Sequence, residues 1–243
     1  MFRRSTGTFG HPTVLTSGVR LATLCGPRPE VCATVYDSAR YVLANRWDPR
    51  HLDTVERTVA PTPGARVLEV GCGQGHLLKA LVERGIDVLG VDANPHATEA
   101  SGTDRVRHAT ADALPFPDAS FDAIISFHVI EHVPDVDEAL AEMTRVLVPG
   151  GRLLLVYPWE PVRGFTAIPA SFILHGHPFK ARQIHRHSVR PRHLEPALAR
   201  LGLRPRISRF QPLSSQFFTV ADKPVRVATS DHEVDLTEAV AAV

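Results

Sequence analysis

A chain of 243 residues, 44% hydrophobic and 22% charged, can enclose one α/β core or two small ones, which excludes wholesale disorder. No apolar run reaches the ~20 residues of a membrane-crossing helix, and three cysteines (Cys25, Cys32 and Cys72) supply neither a disulfide framework nor a Cys-x-x-Cys metal pair. The net charge of +1 conceals a block from Arg152 to Arg209 with eleven Lys/Arg against two acids, between acidic flanks, which biases the chain toward anionic partners.

Residues 1–28 read as a flexible Thr/Gly-rich tail. Arg20 interrupts its apolar run, which argues against a secretory signal and makes the cytoplasm the expected location. Residues 29–62 turn helical, carry Tyr36, Tyr41 and Trp47, and read as a lid segment broken by Pro61-Thr-Pro-Gly64. Residues 63–223 form the main domain. Strands are expected at Arg66–Val70, Asp87–Val91, Val106–Thr110, Phe121–Phe127 and Leu153–Tyr157. Helices are expected at Gly75–Arg84, where Leu77, Leu78, Leu81 and Val82 fall at helical spacing, and at Val136–Val148, stopped by Pro149-Gly-Gly151. This βαβαβ rhythm predicts a parallel sheet with helices on both faces. An insertion at 158–190, with four prolines and no period, follows; a helix at Arg192–Leu201 and strands at 203–210 and 216–221 close the domain. Residues 224–243 are an acidic tail.

The strongest local signal is Val67-Leu-Glu-Val-Gly-Cys-Gly-Gln-Gly-His76, an apolar strand running through Gly71, Gly73 and Gly75 into a helix. Glycines permit a sharp turn and a close ligand approach. The dinucleotide fingerprint G-x-G-x-x-G does not fit, because the third glycine comes one residue early. Asp92 ends the second strand, where an acid can accept from both hydroxyls of a ribose or cap the next helix. Asp112 follows the third strand in Ala111-Asp-Ala-Leu-Pro-Phe-Pro-Asp118, where Asp is also an ordinary turn residue.

Taken in order, Glu69-x-Gly71-x-Gly73-x-Gly75, Asp92, Asp112, Phe121–Pro134 and Leu147-x-Pro-Gly-Gly-x-Leu153 resemble the class I S-adenosylmethionine-dependent methyltransferases, in particular the type 11, ubiquinone-biosynthesis-like small-molecule enzymes, across about residues 36–157. The resemblance implies a Rossmann-like seven-stranded sheet of order 3-2-1-4-5-7-6, with strand 7 antiparallel and helices on both faces. It implies S-adenosyl-L-methionine as cofactor and S-adenosyl-L-homocysteine as product. Glu69, Gly71, Cys72, Gly73, Gln74 and Gly75 would form the methionine side of the site. Asp92 and Ala93 would meet the ribose, Asp112 and the Ala113 N–H the adenine, and Phe127 would also contact the cofactor. Tyr36 of Tyr36-Asp37-x-x-x-Tyr41 would close over the cofactor.

Two histidine groups bear on the acceptor. His128-x-x-Glu131-His132 fits a metalloprotease spacing, but it follows a strand and precedes Pro134 instead of lying on a helix. Ubiquinone-pathway O-methyltransferases carry a related Glu-x-x-Glu-His segment that can hold a divalent cation. His128 stands where the first Glu would be, a poor ligand for a hard cation, so no metal is expected. His132 is the candidate base, since an imidazole titrates near neutral pH, with His128 as its catalytic companion, or else it only positions substrate or packs under the loop. His175, His177, His185, His187 and His193 lie among Lys180, Arg182, Arg186, Arg190 and Arg192. They read as a basic lid for an anionic or polyhydroxylated acceptor, or as a solvated loop. Tyr41, Glu131, Tyr157, His175, His177 and His185 are the substrate-side candidates.

The leading expectation is O-methylation of a small metabolite, sugar, quinone-like ring or lipid-type hydroxyl. An RNA methyltransferase using the basic block is the second reading, set back by the few aromatics there and by Ser126-Phe-His-Val where base amino-methyltransferases carry Asn-Pro-Pro-Tyr. A non-catalytic S-adenosylmethionine-binding protein is the third.

Overall fold

A computed structural model of the chain describes residues 39, 42, 48–159 and 187–225. The expected N-terminal tail, most of the lid segment with Tyr36 and Tyr41, residues 160–186 of the insertion with His175, His177 and His185, and nearly all of the acidic tail lie outside the described residues.

The elements are α1 (Arg50–Thr58), β1 (Arg66–Val70), α2 (His76–Val82), β2 (Asp87–Asp92), α3 (Pro95–Ser101), β3 (Val106–His108), β4 (Phe121–Phe127), α4 (Val136–Val146), β5 (Leu147–Pro158), α5 (Pro191–Arg200), β6 (Arg204–Gln211) and β7 (Gln216–Asp222). The seven strands form one sheet in the order β3-β2-β1-β4-β5-β7-β6. The first five run parallel, and β7 is antiparallel to both β5 and β6. The expected Rossmann-like architecture is therefore the one observed.

The period-2 alternation of β-strands divides the core in two. Leu68, Val70, Ile124, Leu153 and Leu155 face one side and pack with Leu140 and Met143 of α4 and Leu194 and Leu198 of α5. Val67, Ala123, Ile125, Leu154 and Val156 face the other and pack with Val55 of α1, Val59 just after it, and Leu77, Leu78 and Leu81 of α2. Helices thus cover both faces, as parallel strands buried on both sides require.

Local chemistry sets the ends. Asp135 caps α4 by accepting from the Asp137 and Glu138 N–H groups at 2.8 and 3.2 Å. Lys223 donates to the Thr144 and Leu147 carbonyls, both at 2.7 Å, at its other end. β5 begins at Leu147, earlier than the expected Leu153, because the Pro149-Gly-Gly151 turn is itself paired: Gly150 N–H donates to Lys223 O at 2.7 Å and Lys223 N–H to Gly151 O at 2.9 Å. The pairing with β4 slips between Phe121 and Ala123 to absorb the turn.

Candidate cofactor and acceptor site

The chain leaves β1 toward β2 and leaves β4 toward β5, on opposite sides of the sheet. Strand order reverses between β1 and β4, and in open α/β sheets ligands bind at such a switch point, beyond the carboxyl ends of the strands. The loop after β1 carries the glycines, and the loop after β4 carries the histidines. They touch: a Cβ on Gly71 would lie 2.1 Å from Val129 Cγ2, far inside van der Waals contact distance, and Gly71 has φ +77°. Glycine at 71 is what lets the two loops close together.

The carboxylates sit beneath the glycine loop. Asp92, at the end of β2, accepts from Gly73 N–H through Oδ2 at 2.7 Å and from Asn94 N–H through Oδ1 at 2.8 Å. Burial raises its pKa above the ordinary carboxylate value, and these N–H groups oppose the rise. Asp92 does not cap the following helix; Asn94 does, accepting from His96 N–H at 2.9 Å. That leaves the Asp92 carboxylate turned into the loop. Glu69 on β1 is buried, and its Oε2 has no hydrogen-bond partner among the described residues. Burial pushes its carboxyl up to about 8, with the Leu78 N–H opposing and the Asp92 charge adding. A buried carboxyl oxygen with no donor, beside a glycine cradle, fits a cationic group of a bound ligand.

Several expected contacts take a different form. Cys72 is buried, with its sulfur packed over Gly90, where a Cβ would come within 2.6 Å of it. Its side chain is turned into the protein, so only its backbone can meet a ligand. The Gln74 amide donates to Val42 O at 3.0 Å, tying the loop to the N-terminal segment. The Ala93 carbonyl is hydrogen-bonded to His108 Nε2 at 2.9 Å. The Ala113 N–H, expected to meet the adenine, closes a turn onto Thr110 O at 3.2 Å. Asp112, one residue earlier, makes no hydrogen bond or ion pair among the described residues. Its loop is held by Arg145, which donates to Leu114 O (3.1 Å), Phe116 O (2.8 Å), Asp118 (2.8 Å) and both oxygens of Glu142 (2.7 and 2.8 Å).

At the end of β4, Phe127 is stacked beneath His51 of α1, ring centroids 4.3 Å apart. His128 follows with φ +57°, a left-handed conformation unusual for a side-chain-bearing residue. Glu131 is fully buried, with Oε1 3.4 Å from His128 Nδ1 and 3.8 Å from His132 Nε2. One carboxylate thus serves both predicted catalytic histidines. Tyr157, expected on the substrate side, lies in the core: it is fully buried, with its hydroxyl on Thr219 Oγ1 at 2.9 Å. Its place on the apolar end of β5 hid that, since an aromatic at a strand end reads equally as lining or core.

Three contributors were not legible in the chain. His51 reaches Phe127 from 76 residues earlier in sequence. Gln216, the first residue of β7, is hydrogen-bonded to His128. His187 was grouped with the basic lid, yet it is buried, donates its N–H to Glu131 O at 3.1 Å and sets Nε2 2.9 Å from Val133 O. Among the described residues no three His, Cys, Asp or Glu side chains converge as a metal site.

Residues 68–155, which carry the glycine loop, Asp92, Asp112 and the histidine loop, match the family described as a methyltransferase domain. This stretch is a methyltransferase domain. It is similar over a longer span to a ubiquinone biosynthesis O-methyltransferase of Chelativorans sp. (strain BNC1), 33% identical over 165 residues, 63% of this chain and 64% of that protein. The chain therefore spans less than two thirds of the length of the curated relatives it matches. Among solved structures, the geranyl diphosphate C-methyltransferase of Streptomyces coelicolor A3(2) superposes with a TM-score of 0.56 at 18% identity, covering 72% of this chain and 78% of that one. A [4+2]-cyclase superposes as well, at 0.57 and 18%, covering 72% and 81%. The methyltransferase-domain fold is thus shared with a protein named for different chemistry, so the reaction must be argued from the site.

Proposed function

We propose that the chain is an S-adenosylmethionine-dependent methyltransferase that methylates a hydroxyl of a small-molecule acceptor. The observation that carries this reading is the packing of the glycine loop, with Glu69 and Asp92 beneath it, against the histidine loop after β4. The first holds a nucleoside-bearing cation, and the second sets a proton acceptor beside it.

The cofactor, when bound, supplies a methyl group already activated on a sulfonium, so the protein's task is alignment and removal of one proton. Asp92 would accept from the ribose hydroxyls, exchanging its present bonds to the loop amides for charge-assisted ones of roughly 1.5–3 kcal/mol each. Glu69 would pair with the methionine ammonium, and Asp112 would accept from the adenine amino group. His132 would take the acceptor's proton, and the Glu131 carboxylate 3.8 Å from its Nε2 stabilises the positive charge the ring gains. The relatives' printed names favour an oxygen acceptor of the ubiquinone-precursor kind. Several arginines of the basic block are already engaged with acids, Arg152 and Arg206 with Asp222 and Arg200 with Asp137, which weakens the case for a continuous phosphate track.

Calorimetric titration with S-adenosylmethionine and S-adenosylhomocysteine tests the reading. Micromolar binding is expected, and Asp92→Ala should weaken it at least tenfold while leaving the melting temperature within a few degrees of wild type. Unchanged affinity in Asp92→Ala would overturn the cofactor assignment.

A further inference from the structure

Exposed apolar side chains that are scattered singly over a folded chain need no explanation. Here they are clustered. Among the described residues four large hydrophobic side chains are exposed, and three of them, Ile207, Phe210 and Leu213, fall within seven residues of β6 and the turn after it. Leu213, in that turn, is 95% exposed. β6 is an edge strand, paired only with β7. Pro205 and the arginines of β6 blunt that edge against further pairing, but an open leucine does the reverse and calls for a partner. The turn is also firmly built. Gln216 Nε2 donates to Gln211 Oε1 across it at 2.7 Å, and Trp159 N–H, just past β5, donates to Ser215 O at 2.9 Å. A run of rings supports it from the core outward: Tyr157 stacks on Phe217 at 5.9 Å, Phe217 lies 5.1 Å from Phe210, and Phe210 meets Trp159 edge to face at 5.1 Å. β6 runs parallel to β5, so this turn lies at the carboxyl end of the sheet, the end that carries the glycine and histidine loops. Gln216 joins it to the histidine loop through its hydrogen bond to His128 at 3.1 Å. The charge around it has one sign: residues 203–219 contain three arginines and no acid. Arg206 is engaged with Asp222 at 3.4 Å, whereas Arg209 is exposed and has no ion pair among the described residues.

We propose that the β6–β7 turn is a docking tip for the surface of an anionic lipid bilayer. Leu213 enters the boundary between headgroups and acyl chains, Phe210 and Trp159 sit at the headgroup level, and Arg209 meets lipid phosphates. A stable protein partner needs about 800 Å² from each side, whereas the apolar surface here is one projecting turn and its flanking rings, which a bilayer accepts. A single-stranded nucleic acid would stack on open ring faces, and these rings are packed against one another. One consequence rests on the methyltransferase reading: the histidine loop lies beside the tip, so the acceptor hydroxyl belongs to an apolar molecule held in the bilayer, not to a free sugar.

The test is co-sedimentation of the full chain with phosphatidylcholine vesicles, with and without phosphatidylglycerol. Wild type is expected to sediment with the anionic vesicles, and high salt should weaken that binding. Leu213→Glu should lower the binding constant at least about tenfold, and Arg209→Glu at least about fivefold. Val225→Glu replaces the fourth exposed hydrophobic, which lies past the opposite end of β7, and should sediment like wild type. All three substitutions fall on exposed side chains, so melting temperature and S-adenosylhomocysteine affinity should stay close to wild type. The proposal is overturned if wild type does not sediment with anionic vesicles, if it binds neutral vesicles equally well, or if Leu213→Glu sediments like wild type. A lipid-free dimer that Leu213→Glu splits would also overturn it, by assigning the tip to a second copy of the chain. Vesicle binding by a wild-type chain that does not bind S-adenosylhomocysteine would instead sink the methyltransferase reading and leave the docking tip standing.

Discussion

Glu69 carries a carboxyl buried away from water beneath the glycine loop. Its carboxyl is pushed up to about 8 by burial against an ordinary value of 4.5, so between those pH values the folded chain holds a proton that the unfolded chain has released. Stability from this group is therefore greatest below pH 4.5, declines as pH rises through the window, and is lowest above pH 8, at a rate of up to about 1.4 kcal/mol per pH unit. Glu69→Gln keeps the shape without the titration. Its unfolding free energy should exceed that of wild type at pH 8.5 and approach it at pH 4.5, as measured by urea denaturation. The same burial bears on ligand binding. A methionine ammonium favours the ionised carboxylate, so the dissociation constant of S-adenosylmethionine should fall as pH rises from 6.5 to 8, and Glu69→Gln should flatten that dependence in calorimetry. Glu69 and Asp92 were legible as residues because their spacing from the glycines is local. Their protonation was not, because desolvation comes from the elements packed around them.

Elements meet at two points that decide whether the site forms. The first is Gly71 against Val129. Gly71→Ala should destabilise the fold by about 2–4 kcal/mol, combining a left-handed backbone penalty with an overlap in a packed contact. Val129→Ala in the same chain should recover the overlap part while the backbone penalty remains. Thermal unfolding of the two single variants and the double variant checks this, and strict additivity would mean that the loops do not press on each other. The second is Arg145 of α4, which holds the loop that carries Asp112 by three hydrogen bonds, to Leu114 O, Phe116 O and Asp118. The Glu142 and Asp118 carboxylates beside it drive the guanidinium further from deprotonation, and Arg145 in turn lowers Glu142. Arg145→Met should raise the dissociation constant of S-adenosylhomocysteine roughly tenfold, equivalent to about 1.4 kcal/mol, by loosening a loop that α4 alone cannot position. Calorimetry checks it, with Arg57→Met, at an exposed pair on α1, as a control expected to change nothing. The strands and helices themselves were legible, because hydrophobic period and Gly/Pro punctuation are properties of short windows. The start of β5 was misjudged, since a Pro-Gly-Gly turn looks like a stop until the chain after β7 pairs with it.

At the scale of the molecule, one sheet divides two cores and sets the glycine loop, Asp92 and the histidine loop beyond the carboxyl ends of its central strands. A fold of this kind gains stability by mass action when it holds a ligand. S-adenosylhomocysteine at one hundred times its dissociation constant should stabilise the folded chain by about 2.7 kcal/mol, seen as a rise in melting temperature that Asp92→Ala cuts to about half or less. Among the described residues no helix is long and apolar enough to cross a membrane. By itself the sequence determined the βαβ rhythm, the parallel sheet, the glycine loop and the two acids that accompany it, because each rests on local periodicity, on turn chemistry or on the fixed handedness of βαβ crossovers. Only the tertiary structure decided that Tyr157 belongs to the core, that His187 braces the histidine loop, that Asn94 and not Asp92 caps α3, and that Gln216 reaches His128. Those outcomes depend on which side chains meet across tens of residues, and no local window contains the partner that completes a buried hydrogen bond.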